Sequence, residues 1–204
     1  MGAVAHRRKP LTVALGLNTV VLVVEVAGGI QANSLSLVID GVHNLSDEVA
    51  LGFLVLAYAM RTGLSSRLLR TANLFNSVGL LAICGLLLWR VVERISQPVP
   101  VWGLIPVIAG LVGAVGNWGV AAVLREPADH DAAIRLAYVH NLGDTLLSLA
   151  PVLAGGLVLA SGRPVFDSLV ALFVAAVIVF TTIRSVVGSH KELLWPENVV
   201  CGHE

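Results

Sequence analysis

The chain alternates between long apolar runs and short polar breaks. Runs cover about residues 11–30, 35–59, 72–95, 101–124, 134–161 and 166–187, each near the roughly 20 residues a helix needs to cross a bilayer. The breaks hold turn and stop residues. Gln31-Ala32-Asn33-Ser34 parts the first two runs, Arg61 to Arg70 the second and third, and Gln97-Pro98-Val99-Pro100 ends the third. Arg125 to Ala133 and Ser161-Gly162-Arg163-Pro164 make the remaining joints. The pattern predicts an all-α, integral membrane bundle of six transmembrane helices over residues 11–187, with a basic segment 1–10 before it and a short tail 188–204 after it. The basic start His6-Arg7-Arg8-Lys9 superficially resembles a signal peptide, but Asn18 and Glu25 interrupt the apolar stretch that follows, which reads as a first spanning helix.

Inside two of these runs stand matching strings, His43-Asn44-Leu45-Ser46-Asp47 and His140-Asn141-Leu142-Gly143-Asp144. Both read His-Asn-Leu-x-Asp. Residues i and i+4 share a helix face, so each string presents an imidazole and a carboxylate together. Ionisable groups at membrane depth are costly and mark ion paths or binding sites.

Composition agrees. The chain has 204 residues, of which 56% are hydrophobic and 13% charged, against about 25% charged in soluble domains. Thirteen basic and 13 acidic residues cancel, which gives no reason to expect a nucleic-acid partner; membrane lipid is the expected environment. Cys84 and Cys201 make no disulfide framework. No P-loop, HExxH or GxSxG string is present, so no enzymatic activity is expected.

Charge orients the bundle. With the N-terminus inside, the cytoplasmic ends hold Arg7, Arg8, Lys9, Arg61, Arg67, Arg70, Arg125, Arg135, Arg184 and Lys191, and the outer ends only Arg90, Arg94 and Arg163. This positive-inside bias puts both termini in the cytoplasm. The second and fifth spans then run antiparallel, and spans one to three and four to six form inverted-topology halves, an arrangement that places transport sites at the repeat interface. The His of each string would lie roughly 10 Å deep, facing the Asp level of the other.

Two imidazoles and two carboxylates suit a tetrahedral divalent ion and cancel its charge. Mixed N/O ligation fits Zn(II), and also Co(II), Ni(II) or Cd(II), while the lack of thiolate disfavours Cu(I). Metal binding requires unprotonated imidazole, so metal and protons compete for the same groups. The candidate metal ligands are His43, Asp47, His140 and Asp144.

Neighbouring polar residues are weighed separately. Asn18 and Glu25, on one face of the first helix, either line a cavity or bond to adjacent helices. Asp40, one turn before His43, is a mouth residue or a solvated carboxylate. Asp167 is a mouth residue or a helix N-terminal charge, with the second favoured. Glu48 points away from Asp47's face. Asn73, Asn76 and Asn117 read as interhelical hydrogen-bonders, and Gly28-Gly29 and Gly155-Gly156 as close-packing sites or helix ends. Asp129-His130-Asp131 reads as a solvated turn rather than a metal carrier, and Cys201-Gly202-His203-Glu204 as a frayed end.

The residues also carry a family resemblance. Asn33 to Asp47, with Gly28-Gly29 before it, resembles the second-helix signature of the cation diffusion facilitators, and Arg135 to Leu149 resembles their fifth helix. Glu93-Arg94-Ile95-Ser96-Gln97-Pro98 is similar to their third-helix ending. The resemblance covers about residues 11–195. It implies a cation-efflux type bundle that exports a divalent metal from the cytoplasm against protons, working as a homodimer in a bacterial cytoplasmic membrane, with Zn2+ as the ion and Co2+ or Cd2+ possible. It assigns the membrane site to His43, Asp47, His140 and Asp144 and is zinc-type. The family's C-terminal cytoplasmic domain is expected to be absent, since only about 15 residues follow the sixth run. Two rival readings are a non-transporting, metal-binding regulatory subunit and a bis-His haem protein.

Overall fold

The computed structural model describes residues 2–59 and 66–188. Residues 60–65, Lys191 and Cys201-Gly202-His203-Glu204 lie outside the described residues. The described chain is helical throughout its main elements: α1 (Gly2–Ala32), α2 (Leu35–Ala59), α3 (Ser66–Ser96), α4 (Leu104–Ala128), α5 (Ala132–Leu147), α6 (Leu149–Ser161) and α7 (Val165–Gly188). Among the described residues, five stretches are long and apolar enough to cross a membrane: Lys9–Ala32, Leu74–Ser96, Leu104–Ala128, Ala133–Ser161 and Val165–Val187. The expected second span, α2, does not join them by composition, because His43, Asn44, Asp47 and Glu48 lower its hydropathy.

Two boundaries differ from the hydropathy pattern. α1 begins well before Leu11, so most of the basic segment is helical. The expected single span 134–161 is two helices joined at Ser148. Pro151 explains the joint. It has no N–H to give the Leu147 carbonyl, which interrupts the helix ladder there, and α6 places it in its first turn, where that loss costs least.

Polarity is turned inside out relative to a soluble protein. Phe75, Trp89, Leu86 and Leu146 are more than two-thirds exposed, while Asn18, Glu25, Asp40, Asn44, Asn117 and Asp167 are essentially buried. A lipid-facing exterior with polar groups turned inward accounts for this distribution. α1 packs on α2 and α4, α4 on α5 and α6, and α3 pairs with α7 beside α2. One apolar cluster joins Leu51, Leu54 and Tyr58 of α2 to Val120, Leu124 and Ile134. A second joins Leu35 and Ile39 to Leu80, Cys84, Val174 and Ile178.

The α1–α2 turn is locally encoded. Asn33 adopts a left-handed φ of 55°, and Ser34 N–H donates to Gly29 O at 2.9 Å, a helix-ending motif that Asn tolerates. Gly29 lets the two helices touch, since a Cβ there would lie 2.7 Å from Val38 Cγ2. Of Gly155-Gly156, only Gly155 is a close-packing position, against Gly103 at the start of α4.

Candidate metal centre

The two strings meet. α2 and α5 are not packed tightly along their backbones; their side chains bridge the space between them. His43 Nε2 stands 3.1 Å from Asp144 Oδ1 and 3.8 Å from Asp47 Oδ2. His140 Nε2 stands 2.8 Å from Asp47 Oδ1 and 3.7 Å from Asp144 Oδ2. Each His thus approaches the Asp of the opposite helix more closely than its own. The imidazole rings sit edge to face, with centroids 5.5 Å apart.

One ligand atom from each of the four residues falls within 4.8 Å of all the others. Arms of 2.0–2.1 Å around a tetrahedral ion place ligand atoms about 3.3–3.4 Å apart, and the four His–Asp distances straddle that value. Asp47 Oδ2 and Asp144 Oδ2 are buried without a hydrogen-bond partner among the described residues. The ion pairs of both carboxylates are with the two histidines, and no Lys or Arg pairs with either among the described residues. With both imidazoles unprotonated, the two buried carboxylates lack a compensating cation, and a divalent ion supplies that charge with unused lone pairs already facing it.

A cavity reaches the centre from one end. Its volume is about 280 Å³, and it touches His43, Asp47 and His140 and runs past Ala50 and Leu54 of α2, Asn76 of α3 and Ser185 of α7. It leads toward the C-terminal ends of α2 and α7 and the N-terminal ends of α3 and α5. The His140 side chain is 48% exposed, whereas those of His43, Asp47 and Asp144 are under 10%.

The opposite end is closed. Asp167, in the first turn of α7, accepts hydrogen bonds from Ser34 Oγ and Ser36 Oγ, both at 2.6 Å, and from Leu35 N–H at 2.7 Å. Its carboxylate therefore caps the start of α2 rather than its own helix. Arg94 donates to the Asn33 carbonyl beside it.

The remaining candidates separate. Asn18 and Glu25 are fully buried and do not line the open cavity. Asn18 Nδ2 donates to Asn44 O at 3.1 Å and Glu48 Oε2 at 2.9 Å, and Asn44 Nδ2 donates to Glu25 Oε2 at 2.6 Å. Glu48 also accepts from Thr19 Oγ1 at 2.6 Å, turned toward α1 and away from the centre. Asp40 is 1% exposed, buried rather than solvated. Asn76 bonds Ser46 of α2, and Asn117 bonds Ser148 at the α5–α6 joint, both across helices. The Asn73 side chain lies outside the described residues. Asp131 of the α4–α5 turn is the N-cap of α5, accepting from Ala133 and Ile134 N–H and from Tyr58 O–H.

Sequence reasoning missed Asn44 and Ser148 as members of a buried polar layer. Asn44 sits inside the first string, so its identity was in view. Ser148 carried only one signal, the proline three residues after it.

A helical bundle whose His2Asp2 cluster is buried but for His140 defines a class. Residues 11–194 match the cation efflux transmembrane domain, and the chain belongs to that family, the cation diffusion facilitators. Among its relatives, zinc transporter ZitB of Escherichia coli (strain K12) is 28% identical over 198 residues, 93% of this chain and 63% of the relative. ZitB of Yersinia pestis is 29% identical over 195 residues, 91% and 62%. The cadmium, cobalt and zinc/H(+)-K(+) antiporter of Bacillus subtilis (strain 168) is 28% identical over 181 residues, 84% and 58%. The chain spans less than two thirds of each of these relatives.

Proposed function

We propose that this chain exports divalent metal cations, Zn2+ foremost and Co2+ or Cd2+ as well, from the cytoplasm in exchange for protons. The reading is carried by one observation: two His and two Asp from two helices converge within 4.8 Å in a centre buried but for His140. His43, Asp47, His140 and Asp144 are the ligands, and the carboxylates neutralise the ion where water cannot. Imidazoles must give up protons to take metal, so loading the ion and binding protons exclude one another. The names of the zinc transporters and of the cadmium, cobalt and zinc/H(+)-K(+) antiporter among the relatives support the cargo and the counter-ion.

Six spans in two inverted halves, with both termini in the cytoplasm, complete the proposal. α2 is the sixth, its carboxylates turned inward. With the positive-inside orientation, the cavity opens to the cytoplasm and Asp167 closes the outer end, an inward-open arrangement. Alternating access then rocks helices about the fixed centre. The chain works as a homodimer in the cytoplasmic membrane. Asn18, Glu25, Asp40 and Asp167 line the route beyond the centre once the outer end opens.

The test is zinc flux in proteoliposomes with an imposed pH gradient. Wild type moves Zn2+ against the proton gradient, and Asp47→Ala together with Asp144→Ala abolishes flux while the protein still inserts. Wild-type flux in that double variant overturns the site. Metal binding without flux in the intact chain would favour the regulatory-subunit reading.

A further inference from the structure

Beyond the four-ligand centre, toward the closed end, lies a buried polar layer that the proposed cargo site does not use. Glu25 of α1 and Asp40 of α2 face each other there, 0% and 1% exposed. Ser148, at the α5–α6 joint, stands beside both. Glu25 Oε1, Asp40 Oδ2, Asn44 Oδ1 and Asn117 Oδ1 are each buried with no hydrogen-bond partner among the described residues. Every one of these unpartnered atoms is an oxygen acceptor. No Lys or Arg ion pair reaches Glu25 or Asp40 among the described residues. Asn44 Nδ2 donates to Glu25 Oε2 at 2.6 Å, yet two buried carboxylates side by side with spare acceptors are a costly arrangement unless a cation or shared protons join them.

The backbone is shaped to seat this pair. A Cβ on Gly113 of α4 would collide with Glu25 Oε1, and one on Gly41 would crowd Val26 and Glu25 Cβ. The layer also continues a path. Asp47, His43, Asp40 and Ser36 follow one another along α2 at steps of four, three and four residues, hence on one helix face. That stripe runs from the four-ligand centre to the Asp167 closure, with Asp40 about 4.5 Å beyond His43 along the axis.

We propose that Glu25, Asp40, Asn44, Asn117 and Ser148 form a second cation site, built of oxygen alone, that receives a divalent ion between the four-ligand centre and the outer mouth. Two carboxylates cancel a divalent charge, and an all-oxygen donor set favours hard cations of the Mn2+ or Mg2+ kind. Zn2+ is held there more weakly than by imidazole, so an ion moved outward is released rather than trapped. The transit role rests on the export reading above; the binding itself does not.

The experiment uses the full chain in nanodiscs. One equivalent of Zn2+ fills the four-ligand centre, and Mn2+ is then titrated while the free-ion paramagnetic resonance signal is followed. The expected result is one further Mn2+ per chain, weakened at least about tenfold by Asp40→Asn and by Glu25→Gln, with the tight Zn2+ equivalent retained in both variants. That retained equivalent reports an intact fold. Titrations identical in wild type and both variants would assign Mn2+ to surface carboxylates and overturn the site, as would Mn2+ that binds only by displacing Zn2+, or a layer that takes up protons alone. Absence of the tight Zn2+ equivalent in wild type would instead defeat the export reading, leaving a variant-sensitive Mn2+ site standing.

Discussion

His140 Nε2 of α5 stands 2.8 Å from Asp47 Oδ1 of α2, closer than the 3.7 Å to the aspartate of its own string. The centre is therefore cross-linked between helices, and neither string is a site by itself. Losing one partner leaves a buried carboxylate of the other helix without its neighbour. His140→Ala is expected to weaken Zn2+ binding by more than about tenfold, and His43→Ala by at least as much, since His43 is the more deeply buried of the two. Isothermal titration of the purified variants checks this.

The donor set also sets selectivity. His43→Asp replaces an imidazole by a third carboxylate without changing the frame. Oxygen-rich sites favour Mn2+ over Zn2+, so the ratio of Zn2+ to Mn2+ affinity is expected to fall by about tenfold or more. Competition binding with the two ions measures the ratio directly.

Gly113 and Gly156 give a matched pair of glycine tests. A methyl at Gly113 meets the Glu25 carboxylate, while one at Gly156 has nothing within 4 Å. Gly113→Ala is expected to destabilise by about 1–3 kcal/mol through overpacking. Gly156→Ala is expected to be neutral or mildly stabilising, since alanine favours helix by up to about 1 kcal/mol. Thermal unfolding in detergent compares them.

Asp167 holds three donors of the α1–α2 segment. Asp167→Ala removes their shared acceptor; Ser34 Oγ and Ser36 Oγ, 3.2 Å apart, can still bond each other, and each donor left buried and unpaired costs about 1–3 kcal/mol. The expected outcome is a lower unfolding temperature and a loosened contact between α7 and the α1–α2 turn. Leu37→Cys, fully buried in the native arrangement, should then react with an impermeant thiol reagent only when Asp167 is also replaced.

Much of this was legible in the chain. The i, i+4 spacing put His43 with Asp47 and His140 with Asp144 on single helix faces, and apolar run lengths located the long helices. Pairing across the strings followed from antiparallel direction, which charge bias supplied. Less legible were facts that depend on which helix covers a face. Periodicity placed Asn18 and Glu25 together, but only packing against α2 and α4 shows them sealed from the cavity. Asp167 reaches Ser34 across 133 residues, and its spacing within α7 contains no trace of that partner. The joint at Ser148 had a signal in Pro151, which the uninterrupted apolar run overrode.

The most direct measurement is X-ray absorption at the zinc edge of the chain loaded with one equivalent of Zn2+. The account predicts four nitrogen and oxygen neighbours at about 2.0–2.1 Å, with outer-shell scattering from two imidazoles in wild type and one in His140→Ala. A six-oxygen shell, or a spectrum unchanged by removing His140, would contradict it.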